Sequence, residues 1–112
     1  KTGVAVLVEG PGDVWKLVEN GIKNAVGLFG TVLTDSQKFI LDCSSSSTIF
    51  IVGDNDQPGE RAAKEIVEKC QKLYRVEKFG WEGIAAKDVG EMSNELVQEK
   101  IGEIVNRLSG LN

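Results

Sequence analysis

Four short apolar runs divide the chain, and helical apolar stripes lie between them. Val4 to Val8 (VAVLV) and Ile49 to Val52 (IFIV) are continuous and mostly β-branched, the pattern of strands buried on both faces of a parallel sheet. Asn24 to Phe29 (NAVGLF) reads as a shorter strand interrupted by Gly27, and Tyr74 to Phe79 (YRVEKF) alternates as an edge strand does. Asp13 is placed to cap a helix running to Asn20, with Val14, Leu17 and Val18 at helical spacing, Asn20-Gly21 as its stop and Trp15 packed under the turn. Thr34 to Gln37 (TDSQ) matches a capping box and opens a helix carrying Phe39, Ile40 and Cys43 toward the sheet, and Ser44 to Ser47 form a polar connector. Pro58 suits a first helical position, followed by the stripe Ala62, Ala63, Ile66, Val67, Cys70 and Leu73. A last helix from about Ser93 buries Leu96, Val97, Ile101, Ile104, Val105 and Leu108 and pairs Glu103 with Arg107 on its exposed side.

Strands alternating with helices define an α/β fold, an open parallel sheet of about four strands flanked by helices with right-handed crossovers. With 112 residues the chain is read as one domain spanning 1–112. It opens at Lys1 and enters a strand almost at once, so the sequence reads as a segment excised from a longer protein. Hydrophobic content of 41% and charged content of 27% are ordinary for a globular domain, and no apolar run reaches the length of a membrane span. A net charge of −4 does not describe a stand-alone grip on phosphates, so a nucleic-acid partner would need positive charge from metal ions or another domain. With no His and no CxxC spacing, zinc fingers and His-based triads are excluded; Cys43 and Cys70 read as small buried hydrophobes in a reducing cytoplasm.

The candidate chemistry lies just beyond the strands. Glu9 follows the first strand in Glu9-Gly10-Pro11-Gly12-Asp13, and Asp54 and Asp56 follow the third in Gly53-Asp54-Asn55-Asp56. In an open α/β sheet this edge is where ligands bind. Clustered carboxylates raise one another's pKa and suit a hard divalent cation, Mg²⁺ or Mn²⁺, although short acids also serve simply as turn and helix caps. For Glu9 to meet Asp54 and Asp56, the first and third strands must be neighbours, which a flavodoxin-like strand order of 2-1-3-4 provides. Asp88 is available after the fourth strand, in Lys87-Asp88-Val89-Gly90-Glu91. The Gly10/Gly12 pair fails as a dinucleotide fingerprint because Trp15 stands at the third glycine position, and no GK[ST] phosphate loop occurs. Gly10, Gly12, Gly30 and Gly53 read either as positions needing positive φ or as close approaches to a ligand. Trp15 and Trp81 read as core aromatics before base-stacking ones.

The combination VLVEGPGD (6–13), LFGT (28–31) and IVGDNDQPG (51–59) resembles the Toprim domain of primases and topoisomerases, most closely the form in bacterial and phage DNA primases or primase-helicases. That resemblance implies a metal-dependent nucleotidyltransferase making RNA primers on a single-stranded DNA template from nucleoside triphosphates, in the cytoplasm of a bacterial or phage-infected cell and in the company of a replicative helicase. It implies Glu9 as metal ligand or acid/base, Asp54 and Asp56 as metal-binding aspartates, and Asp88 as an extension of a second metal position. The further aspartate usual in such primases is Gly90 here, with Glu91 close enough to compensate. Phosphate contacts would fall to Gly10, Gly30, Thr31 and Lys87, and the isolated segment is expected to be weak or inactive. Alternatives are a Toprim nuclease or topoisomerase, for which Tyr74 at the start of a strand is a poor nucleophile, and a non-catalytic Toprim-fold or receiver-like module.

Overall fold

The computed structural model describes residues 3–28 and 46–110. Four strands, β1 (Gly3–Val8), β2 (Ala25–Gly27), β3 (Ser46–Val52) and β4 (Arg75–Lys78), form one parallel sheet in the order β2-β1-β3-β4. This is the order that the acidic turns require. β1 and β3 lie side by side in register from Val4 opposite Thr48 to Val8 opposite Val52, so Glu9 and Gly53 leave the sheet together. The continuous apolar runs become the two central strands, and the short and alternating ones become the edges.

Period-two alternation splits the core between the two faces. Val4, Val6, Val8, Phe50 and Val52 face α1 (Pro11–Glu19), through Leu17, and the C-terminal helix, through Val97, Ile101, Val105 and Leu108. Ala5, Leu7, Ile49 and Ile51 face α2 (Gln57–Cys70), through Ala63, Ile66 and Cys70. The C-terminal helix, α3, covers residues 94–108 and widens to π pairing over Val97–Gly102 between α-helical ends. Among the described residues no helix is long and apolar enough to cross a membrane.

Several local expectations are corrected. The N-cap of α1 is Gly10, and Asp13 stands in the first turn instead, accepting the Gly10 N–H at 3.2 Å. Trp15 does not pack under that turn; it is 76% exposed, because Leu17 defines the inward side of α1 and Trp15 falls away from it, and Val18 is exposed as well. The second strand is only Ala25–Gly27, Ser46 and Ser47 join β3 rather than a connector, and the fourth strand starts at Arg75, not Tyr74. Helix α2 ends at Cys70, which leaves Leu73 beyond the apolar stripe and 69% exposed. Arg107 pairs with Glu77 of β4 at 3.0 Å, not with Glu103. Phe29, Gly30-Thr31 and the helix expected from Thr34 through Cys43 lie outside the described residues.

Candidate metal centre

The turn after β3 is built around two glycines. Gly53 and Gly59 approach so closely that a Cβ on Gly53 would lie 2.9 Å from the Gly59 carbonyl oxygen. Neither Gly10 nor Gly53 has the positive φ open to a glycine; among the described residues only Gly21, Gly83 and Gly110 do. Asp56 is the N-cap of α2, its Oδ1 accepting the Gly59 N–H at 2.7 Å. Asp54 sits two residues earlier, half-buried, and its N–H donates to Glu9 Oε2 at 2.6 Å. The carboxylate after β1 is thus held by the backbone after β3, a direct result of the parallel β1–β3 pairing.

The chain from β4 onward closes over this edge. Phe79 stacks edge-on against Phe50 at 6.1 Å and Trp81 edge-on against Phe79 at 5.1 Å. The Trp81 Nε1–H donates to the Gly53 carbonyl at 2.9 Å, and the Asn55 N–H donates to the Lys87 carbonyl at 2.8 Å. Asp88 then caps the 3₁₀ turn Val89–Glu91, accepting the Glu91 N–H at 3.0 Å. The Gly90 N–H donates to Asp13 Oδ1 at 2.9 Å.

These ties gather Asp13, Asp54 and Asp88, with one carboxylate oxygen from each within 4.8 Å of the others. Burial pushes the Asp54 carboxyl up to about 7, helped by the negative charges of Glu9, Asp13, Asp88 and Asp56. The Asp13 carboxyl is also raised, by its burial first and in small part by Asp88, against the lowering effect of the N–H bonds from Gly90 and Gly10. Hard carboxylate oxygens converging at this spacing, with repulsion that a cation would relieve, are a donor set that could hold Mg²⁺ or Mn²⁺. Beside them opens a groove of about 620 Å³ lined by Asp54, Asp56, Glu60, Lys78 and Trp81. Lys78 is ion-paired with Glu60 there.

Of the expected site residues, Glu9 lies at this edge through its bond to the Asp54 N–H, Asp54 stands in the carboxylate trio, and Asp88 joins it from the segment after β4. Asp56 is engaged in capping α2, and Lys87 is exposed, with its N–H donating to Glu91 Oε1 at 3.2 Å. Gly10 is occupied with the α1 cap, and Gly30 and Thr31 lie outside the described residues. Asp13 is the residue that sequence reading gave only a capping role. The signal was present in its distance of four residues from Glu9, across a Gly-Pro-Gly turn that folds the helix start back over the strand end.

An acidic edge beyond a β2-β1-β3-β4 parallel sheet matches a Toprim fold, and residues 3–79 match the family model described as Toprim domain; the chain belongs to this family. DNA primases are among the relatives it resembles. It is 38% identical over 69 residues to the DNA primase DnaG of Methanococcus aeolicus, an alignment covering 62% of this chain and 14% of that one. It is 37% identical over 65 residues to the DNA primase of Aquifex aeolicus, covering 58% of this chain and 13% of that one. The crystal structure of the Aquifex aeolicus primase, zinc-binding and RNA polymerase domains, superposes with a TM-score of 0.68 at 28% identity, covering 96% of this chain and 25% of that one. The RNA polymerase domain of Mycobacterium tuberculosis primase DnaG, 22% identical with a TM-score of 0.66 and coverage of 93% and 38%, shares the fold. The matched segment spans about one seventh of the length of these primases.

Proposed function

We propose that this chain is the metal-binding Toprim segment of a DNA primase, working in the cytoplasm within a longer polypeptide that synthesises RNA primers on single-stranded DNA and meets a replicative helicase. The convergence of Asp13, Asp54 and Asp88 from three separate elements on one edge is the observation that carries the reading, together with the primase relatives. Asp13, Asp54 and Asp88 would hold the ions, with Glu9 and Asp56 flanking them. Bound divalent cations supply positive charge to triphosphate oxygens and lower the pKa of an attacking hydroxyl. Glu9 is oriented by the Asp54 N–H, which fixes one of its oxygens and leaves the other to accept a proton or bind an ion. The groove beside Asp54, with the half-buried Trp81 in its wall, suits a nucleotide or template base lying against an aromatic side chain. Lys87 and Gly10 are the described residues proposed to meet phosphate, with Gly30 and Thr31 as the remaining pair.

The net charge of −4 fits this division of labour, because the template must be gripped by positive charge supplied elsewhere. Primer synthesis by a primase-length chain containing this segment tests the reading. Replacing Asp54 by Ala is expected to lower the rate by about two orders of magnitude or more, the scale on which loss of a charge-stabilising group acts. Undiminished synthesis by Asp54→Ala would remove Asp54 from the centre and the reading with it.

A further inference from the structure

We propose that Asn55 is a positioning residue: its side chain fixes where Asp88 stands relative to Asp54 and Asp13, and so delivers the third carboxylate to the acidic edge. This deepens the metal-centre reading and rests on it. Asn55 lies between the two acids of the turn after β3, and three donors on it are directed at a single stretch of chain. Its N–H donates to the Lys87 carbonyl at 2.8 Å, and its Nδ2 donates to the Ala86 carbonyl at 3.0 Å and the Ile84 carbonyl at 3.3 Å. These are the carbonyls just before Asp88. Residues 84–86 belong to no helix or strand, so their carbonyls find no partner in a ladder and need donors from elsewhere. A side-chain amide places two N–H groups on one nitrogen, which a glycine, serine or aspartate at this position does not.

Apart from the backbone bond from residue 55 to the Lys87 carbonyl, which any residue at 55 except proline can make, and the Lys87 N–H bond to Glu91 within the turn itself, the ties of the 80–91 segment lie further from Asp88 in the chain or act on its other side. Trp81 anchors the upstream end through Gly53, and Gly90 anchors the downstream end through Asp13. The 3₁₀ cap orients the Asp88 carboxylate within its own turn, while Asn55 sets the distance of that turn from Asp54. Asp13, Asp54 and Asp88 repel one another, so an attachment independent of any cation is needed to hold Asp88 within reach. Asn55 supplies it from the turn that carries Asp54, so two ligands on distant parts of the sequence move as one unit.

The test is Mn²⁺ binding by the 112-residue chain, followed by electron paramagnetic resonance, in a cycle of wild type, Asn55→Ala, Asp88→Asn and the double variant. In the same proteins, hydrogen exchange follows the amides of residue 55 and Gly90. Asn55→Ala should weaken Mn²⁺ about 10- to 100-fold, the effect of removing a support behind a ligand, and add almost nothing once Asp88 is already Asn. Both amides should lose protection while those of β3 and α2 keep it. Losses that multiply in the double variant, or unchanged protection at Gly90, would overturn the inference. If wild type binds no Mn²⁺, the metal-centre reading falls by itself, and the exchange data alone decide whether Asn55 holds the loop. Should Asn55→Ala fail to fold, Asn55→Ser keeps a turn-forming residue, lacks the amide donors and gives the same comparison.

Discussion

A Cβ at Gly59 would fall on the carbonyl oxygen of Asp54 and within 2.8 Å of its amide nitrogen, so the position of the acid depends on a missing methyl group. Gly59→Ala is expected to destabilise the protein by about 1–3 kcal/mol, the usual cost of overpacking, and to displace Asp54 from its neighbours. Gly12, with nothing within 4 Å of its would-be Cβ, is the control, and Gly12→Ala should be neutral or stabilising by up to about 1 kcal/mol. Urea midpoints measured side by side check both. Asp54 carries a second residue-scale prediction. Its folded-state pKa of about 7 lies above the ordinary 3.8, so between those values the native state binds more protons than the unfolded chain. The contribution of this group to metal-free stability therefore falls as pH rises from about 4 through 7. A bound divalent cation reverses the preference by favouring the carboxylate. Mg²⁺ should thus raise the melting temperature more at pH 8 than at pH 6, and Asp54→Asn should raise the metal-free melting temperature at pH 8 while abolishing the Mg²⁺ effect. Scanning calorimetry at the two pH values decides it.

At the scale of an element, the turn after β3 joins two tasks in two acids of one tripeptide. Asp54 faces the carboxylate trio, whereas Asp56 satisfies the first turn of α2. Asp56→Ala should cost about 1 kcal/mol of metal-free stability through loss of the cap, and Asp56→Ser should restore most of it. If Asp56 also serves a cation, Asp56→Ser will keep the stability yet bind Mn²⁺ more weakly than wild type; equal affinity would confine Asp56 to capping. The central strands behave differently, because β1 and β3 hold the acids only as firmly as their core permits. Phe50 is fully buried against Phe79, the first of the ring contacts that lead to Trp81. Phe50→Ala is expected to cost about 3–5 kcal/mol and to loosen the 80–91 segment together with the core, visible as faster amide exchange at Gly90.

Across the whole molecule, what was legible and what was not follow from the range of the forces involved. Continuous β-branched runs announced the two central strands, and the acids just after them could be placed at the sheet edge, because strand identity and turn position are local properties. The strand order followed from requiring Glu9 and Asp54 to meet. The Toprim family was likewise legible, since its motifs are short and lie in order along the chain. Solvent exposure of Trp15 and Leu73 was not, since the inward side of α1 is set by what Leu17 packs against, and burial at the end of an apolar stripe by where the helix stops. Nor was the membership of the acidic trio. Asp13 looked like a helix cap because its bond to Gly10 is local, and its second role depends on Gly90, 77 residues away in sequence. Asp88 comes near Asp54 through contacts distant in sequence, the bonds of Asn55 to the 84–87 carbonyls, of Trp81 to Gly53 and of Gly90 to Asp13. The sequence by itself determined the elements, their order and the edge at which chemistry belongs, since those rest on periodicity and on residues a few positions apart. Only the tertiary structure decided which carboxylates share a cation-sized space, because that depends on hydrogen bonds between segments that no local pattern relates.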